Sequence, residues 1–256
     1  MESWALVTGA TSGIGESFTR LLAKKNYNIV LVARDMPRLQ ERARELEAKF
    51  RVETHIIQAD LSTDAGCAAV EHYIANNQVD VLINNAGFGL NKAFTMSALD
   101  VEQQMFDVLV RTPMRLMHVA LPPMKQRNKG VVINVSSVAG FIAGGSYSAA
   151  KSYLTVLSES LHTELAGTNI KISALCPGFT RTEFHQRGKM SMKGLPNFLW
   201  LNSDRLVEQS WRDALKGKAV SVPGWQYKLL VFVVQTLVPR SIVRKVGMNL
   251  RSKQRK

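Results

Sequence analysis

Trp4-Ala5-Leu6-Val7-Thr8-Gly9-Ala10-Thr11-Ser12-Gly13-Ile14-Gly15 carries an apolar strand directly into three glycines. A helical pattern follows from Glu16 to Lys25. Glycines at such a turn let backbone amides approach a pyrophosphate, which then sits at the helix N-terminus. The spacing Gly-x-x-x-Gly-x-Gly differs from the usual dinucleotide fingerprint. It also lacks the Gly-Lys-Ser/Thr of the nucleotide-hydrolase phosphate loop. Taken alone, the run also suits a purely structural strand-to-helix turn.

Outward from this turn, apolar runs alternate with helical patterns. Strands are predicted at 4–8, 27–33, 52–58, 79–84, 130–136, 170–175 and 219–222. Helices are predicted at 13–25, 36–50, 63–76, 98–126, 147–166 and 204–217. This alternation predicts one α/β domain, a doubly wound parallel sheet of about seven strands with helices on both faces. Such sheets bind ligands beyond the carboxyl ends of their strands. The glycine turn, Asn84-Asn85, Ser137 and Pro177-Gly178 all fall at those ends.

Tyr147-Ser148-Ala149-Ala150-Lys151 places a Tyr and a Lys four apart in a helical stretch, on one face. An ammonium that close stabilises phenolate, and a Tyr so tuned can exchange a proton with a carbonyl or alcohol oxygen. Ser136-Ser137 lies just upstream, after the buried-strand pattern Val131-Val132-Ile133-Asn134-Val135. Together with Thr8-Gly9-x-x-x-Gly13-x-Gly15, Asn84-Asn85-Ala86-Gly87 and Pro177-Gly178, the pattern resembles the short-chain dehydrogenase/reductase family. The resemblance runs from Trp4 to about Pro223. It implies a Rossmann-type fold and a nicotinamide cofactor. In the catalytic set it implies, Tyr147 is the general acid/base, Lys151 tunes it and holds the nicotinamide ribose, and Ser137 donates to the substrate oxygen. Ser136 is the alternative to Ser137. A homodimer or homotetramer is also implied.

The family comparison carries further positions. Gly9, Thr11, Ser12, Gly13, Ile14 and Gly15 correspond to the pyrophosphate turn. Asp60-Leu61 resembles the adenine-contacting pair, and Asn85, Ala86 and Gly87 resemble the adenosine-side segment. Beyond Pro177 and Gly178, Thr182 falls where the family holds the carboxamide, with Thr180 as the competing choice. At the end of the second strand the acid-bearing position falls on Ala33, followed by Arg34. An Arg there suits a 2′-phosphate, as in the NADP(H)-preferring members. Asp35 follows at once, and its other role is to cap the helix that begins at Met36-Pro37.

Two departures from the family stand out. Leu109 occupies the position of an Asn that in many members positions a water for the Lys, and Pro113 is set to disturb that helix. The loop between Ser137 and Tyr147 is also shorter than usual and rich in glycine. The leading expectation is an NADP(H)-dependent oxidoreductase that interconverts a carbonyl and an alcohol on a hydrophobic small molecule. The alternative is a nucleotide-binding protein with reduced or lost catalysis, motivated by Leu109.

Residues 182–202 form a long apolar segment with Gly188, Gly194 and Pro196, read as an active-site lid or as a cover for one end of the sheet. Residues 1–225 are thus the expected catalytic domain, and 226–256 an apolar and then basic extension. The net charge is +13, and after Asp213 there is no acid. Ten Lys and Arg between Ala214 and Lys256 supply most of that surplus. The extension suits packing on the domain, or attachment to an anionic membrane surface. Thin aromatic interleaving argues against nucleic acid. Two distant cysteines, Cys67 and Cys176, fit a reducing, cytoplasmic setting, and no metal-ligand spacing appears.

Overall fold

The computed structural model describes residues 2–188, 194–239 and 241–243. Met190 and Met192 of the expected lid, and most of the basic extension, lie outside the described residues. Seven strands form one parallel sheet in the order β3-β2-β1-β4-β5-β6-β7. They are β1 (Trp4–Thr8), β2 (Asn28–Ala33), β3 (Thr54–Gln58), β4 (Val81–Asn84), β5 (Gly130–Val135), β6 (Ile170–Leu175) and β7 (Val220–Ser221). The connecting helices are α1 (Gly13–Lys24), α2 (Met36–Phe50), α3 (Asp64–Asn76), α4 (Leu99–Phe106), α5 (Thr112–Arg127), α6 (Ser146–Glu164), α7 (Phe184–Arg187), α8 (Ser203–Leu215) and α9 (Trp225–Phe232). The strand order reverses between β1 and β4, which opens a crevice at their carboxyl ends.

Alternation along the strands feeds two cores. Val7, Ile29 and Leu31 pack with Phe18 and Leu22 of α1, Leu39 and Leu46 of α2, and Leu206 and Trp211 of α8. Leu6, Val30 and Val32 face the other way, toward Cys67 and Val70 of α3, Leu116 and Met117 of α5, and Leu154 of α6. Burial on both faces explains why the strands read as nearly continuous apolar runs. Caps set several helix starts. Asp35 accepts from Arg38 N at 3.1 Å, Thr63 from Gly66 N at 3.0 Å, and Asn202 from Arg205 N at 3.1 Å.

Some boundaries depart from the sequence reading. The single helix expected at 98–126 runs unbroken from Leu99 to Arg127, with a wider π-type turn at Asp107–Arg111 between α4 and α5. Pro113 explains it. Its ring has no N–H and crowds the carbonyl of Leu109, four residues back, so the ladder widens there. Residues 182–202 also contain more order than expected, in α7 and a short 3-10 turn at Asn197–Leu199. The division at 225/226 falls inside α9, whose Tyr227 and Val231 are buried against the domain.

One buried polar chain ties the sheet to α6. Asn84 Nδ2 donates to Asn134 Oδ1 at 2.8 Å, Asn134 Nδ2 to Ser158 Oγ at 2.8 Å, and Ser158 Oγ to the Leu154 carbonyl at 2.6 Å. Asn134→Ala leaves the Asn84 amide without its acceptor and should cost about 1–3 kcal/mol. Chemical denaturation reads this, and a loss under ~0.5 kcal/mol would contradict the account.

Candidate active site

The glycine turn is held by close backbone contact. Gly9 and Gly13 adopt positive φ, +65° and +58°, a region costly for other residues. A Cβ on Gly15 would overlap the Gly9 carbonyl and Asn85 Nδ2. Asn85 Nδ2 donates to the carbonyls of Thr8 (2.9 Å) and Gly9 (3.1 Å). The Thr8 hydroxyl accepts from the amides of Asn85 (2.9 Å) and Ala86 (3.0 Å) and donates to the Ile83 carbonyl (3.3 Å). The turn after β1 and the turn after β4 are thereby one unit. Ser12 at the helix N-cap is extended and makes no side-chain cap. The first-turn amides of α1 are therefore not shared with a side chain, the donor set that a pyrophosphate needs. Thr11 and Ile14 sit in the same turn.

On the other side of β1, Arg34 and Asp60 follow the ends of β2 and β3 and approach to 4.0 Å, with the Arg34 side chain 73% exposed. Asp60 accepts from the amide (3.0 Å) and hydroxyl (2.8 Å) of Ser62. Its carboxyl is held below the usual range, where those bonds and Arg34 outweigh its burial. Leu61 is buried, and its carbonyl accepts from Thr112 Oγ1 at 2.7 Å. Arg38, which sequence reasoning missed, forms two 3.1 Å bonds to Glu183. This pair ties the start of α2 to the segment after β6. Its only sequence signal is a second Arg four residues after Arg34.

Ser137, Tyr147 and Lys151 come from the end of β5 and the first turns of α6. Gly145, at φ +89°, supplies the N-cap geometry that starts α6. Ser137 Oγ accepts from Ala139 N at 3.1 Å and turns the chain toward α6. Ser136 is buried instead, its hydroxyl donating to the Lys151 carbonyl at 2.7 Å. Of the two serines, Ser136 is thus committed to the backbone of α6. Lys151 Nζ lies 5.8 Å from the Tyr147 ring centroid and donates to the Val135 carbonyl at 2.6 Å. Lys151 is 4% exposed, and burial pulls its ammonium down to about 8. Burial pushes the neighbouring Cys176 thiol up to about 11, so it is a packed thiol rather than a nucleophile.

Leu109 is core, 1% exposed, and packs with Met105, Val110 and Ala150 against Tyr147. Its Cδ2 would lie 2.7 Å from a Cβ on Gly87, and Lys151 Nζ 3.8 Å from the same point. Gly87 therefore gives Leu109 room beside the lysine. Where the family comparison expects an amide, this chain has apolar packing, and the Val135 carbonyl receives the ammonium.

The segment after β6 distinguishes the two threonines. Thr180 is buried and donates to the Gly178 carbonyl at 3.0 Å. Thr182 lies against the glycine turn, its Cγ2 2.9 Å from a Cβ built on Gly13. The Pro177 carbonyl accepts from Val138 N at 3.0 Å, joining this segment to the serine turn. Gly178 makes room for Tyr227, whose ring a Cβ there would overlap. Tyr227 Oη accepts from Phe179 N at 3.0 Å and donates to the Leu199 carbonyl at 2.6 Å. Nothing local in the sequence signals that contact. Phe184 of α7 brings its ring to 6.0 Å from that of Tyr147.

Comparisons with known proteins identify the family and the fold. A family model described as short chain dehydrogenase matches residues 3–192. The human very-long-chain 3-oxoacyl-CoA reductase is 26% identical over 261 residues, covering 96% of this chain and 84% of that protein. A solved short-chain dehydrogenase from Sphingobium yanoikuyae in complex with NADPH is 30% identical with a TM-score of 0.84, covering 92% of this chain and 94% of that one. The bulky-bulky ketone specific alcohol dehydrogenase from Comamonas testosteroni is 29% identical with a TM-score of 0.79, covering 92% and 93%. With the glycine turn, the serine turn and the Tyr-Lys pair gathered at one crevice, the chain belongs to the short-chain dehydrogenase family of oxidoreductases.

Proposed function

We propose that this protein interconverts a carbonyl and an alcohol on a hydrophobic small molecule with NADP(H). The observation that carries the reading is the Tyr147–Lys151 pair, with the apolar ring of Phe184 6.0 Å from that of Tyr147. Gly9, Thr11, Ser12, Gly13, Ile14 and Gly15 would hold the pyrophosphate. Arg34 would pair with the 2′-phosphate. Asp60, Leu61, Asn85, Ala86 and Gly87 would line the adenosine side. Lys151 would bind the nicotinamide ribose, and Pro177, Gly178 and Thr182 would border the nicotinamide. Thr180 would act through the Gly178 backbone. When bound, the cofactor supplies or accepts the hydride.

The chain's own residues manage the proton. The Tyr147 hydroxyl would deliver it to the carbonyl oxygen, and the Ser137 hydroxyl would steady the charge developing there. The buried Lys151 ammonium favours the phenolate that remains. Leu109 keeps water from one side of that ammonium. The reading as a binding protein with reduced catalysis rests on Leu109 alone, and the retained Ser137, Tyr147 and Lys151 weigh against it.

An exposed apolar face supports self-association. Phe94 and Phe106 line a cavity of about 500 Å³ together with Glu102, Met105, Ser146 and Ala150, and Met96 and Leu99, nearby in sequence, are exposed as well. We assign this face to a homodimer or homotetramer contact.

Tyr147→Phe keeps the ring and removes the proton. Turnover of NADPH against a panel of apolar ketones should fall ~10²–10⁴-fold with NADPH binding retained. A loss under about tenfold would remove Tyr147 from the reaction.

Arg34→Ala should weaken NADPH about tenfold and NADH hardly at all, the low end for a charge-assisted bond because the side chain is exposed. Equal losses in fluorescence titrations would mean that Arg34 meets no 2′-phosphate.

The pH profile tests Lys151. Its ammonium is present below about 8 and is lost as pH rises through that value. For reduction, kcat/KM for NADPH should therefore decline above about 8. Lys151→Arg, which stays cationic, should move the decline to higher pH. An unchanged profile would assign the decline to another group.

A further inference from the structure

We propose that the outer face of α9, with the neighbouring loop tip at Phe198, docks on an anionic lipid surface. From Trp225 the helical path continues through the wider turn Val233–Leu237. At 1.5 Å per residue it is about 20 Å long, too short to span a bilayer but long enough to lie along one. Among the described residues no helix is long and apolar enough to cross a membrane.

Only one stripe of α9 is used by the domain. Tyr227 and Val231, four apart, are buried. Most of the remaining residues are apolar yet open to solvent, with Lys228, Gln235 and Thr236 among them. Trp225 is 73% exposed, Leu237 64%, and Leu229, Leu230 and Phe232 are exposed between them. Gln226 Nε2 donates to the Phe198 carbonyl at 3.0 Å, and that places the 63% exposed Phe198 beside the same face. Contiguous apolar exposure of this kind marks a surface that is covered in use. A Trp at one end and leucines along the helix suit the boundary between lipid headgroups and acyl chains.

Charge selects the occupant. Lys228 lies within α9, and no acid follows Asp213 anywhere in the sequence. Seven basic residues follow Pro239. A surface of anionic lipid attracts such a sequence. The other apolar face lacks such a run of cations: Asp100 lies beside Leu99, and Asp107 beside Phe106 is paired with Arg111 at 2.9 Å. The excess of positive charge therefore favours α9, rather than that face, as the side that meets anionic lipid.

The docked helix is wired to the site. Tyr227 holds Phe179 N and the Leu199 carbonyl together, and Leu201 N donates to the Phe179 carbonyl at 2.8 Å. Both limbs of the loop that carries Phe184 are thus anchored on α9. A membrane beneath α9 would bring its apolar solutes to the Phe184 side of Tyr147. This entry route, unlike the docking itself, rests on the proposed carbonyl chemistry.

The test is co-sedimentation of the full chain with phosphatidylcholine vesicles, with and without phosphatidylserine, at low and high salt. The wild-type chain should pellet with the anionic vesicles at low salt, be released at high salt, and bind the neutral vesicles at least tenfold less. The double variant Leu229→Glu/Phe232→Glu should lose at least tenfold of that binding while keeping its NADPH affinity and its circular dichroism. Failure of the wild-type chain to bind anionic vesicles, equal binding to neutral ones, or unchanged binding by a folded double variant would each overturn the proposal. A double variant that instead dissociates a wild-type dimer in light scattering, with no vesicle binding by either, would make the face a protein interface and overturn it equally. Because the readout is binding, it stands or falls separately from any result on carbonyl turnover.

Discussion

A side chain on Gly15 would collide with the Gly9 carbonyl and the Asn85 amide. The absence of that side chain lets α1 start directly against the end of β1, with the tip of β4 alongside. Asn85 then bridges the Thr8 and Gly9 carbonyls, and the Thr8 hydroxyl gathers the Asn85 and Ala86 amides. The reversal of strand order between β1 and β4 becomes a shaped crevice with amides at its floor. Every other site element is positioned relative to that floor. Thr182 rests on Gly13, and Leu109 and Lys151 both border Gly87.

Around Tyr147, the chain combines the buried cation of Lys151 with apolar walls. Lys151 Nζ is received by the Val135 carbonyl, on the strand that also delivers Ser136 and Ser137. An ammonium in such surroundings interacts more strongly with a nearby phenolate than it would in water. Leu109 contributes to this dryness, and the wide turn that carries it follows from Pro113. Where the resemblance implied an amide, Leu109 packs in the core, and the lysine is held from the sheet side. The apolar ring of Phe184 continues the same character outward.

The sheet and the gathering of turn residues at its carboxyl edge were legible in the sequence because buried parallel strands leave continuous apolar runs and their ends carry turn residues. Asp35 as a cap was legible for the same local reason. The long helix before β5 was legible, but not the wider turn inside it, since a single proline acts on the ladder through the carbonyl four residues back. The spacing of Tyr147 and Lys151 gave their shared face but not the inward reach of Lys151 to Val135, which depends on β5 lying beneath α6. The different settings of Thr180 and Thr182 were not legible, since they depend on how the loop packs on Gly13. Tyr227 and the Arg38–Glu183 pair link segments far apart in sequence, and no local pattern encodes them.

The central claim is that the crevice at the β1/β4 reversal is a dinucleotide site whose adenosine end accepts a 2′-phosphate. Titration of the full chain with NADPH, followed by the nicotinamide fluorescence, tests it most directly. The account requires a saturable change that adenosine 2′,5′-bisphosphate displaces and that adenosine 5′-monophosphate displaces far less well. A folded chain that gives no saturable change, or one displaced equally by both nucleotides, would contradict it.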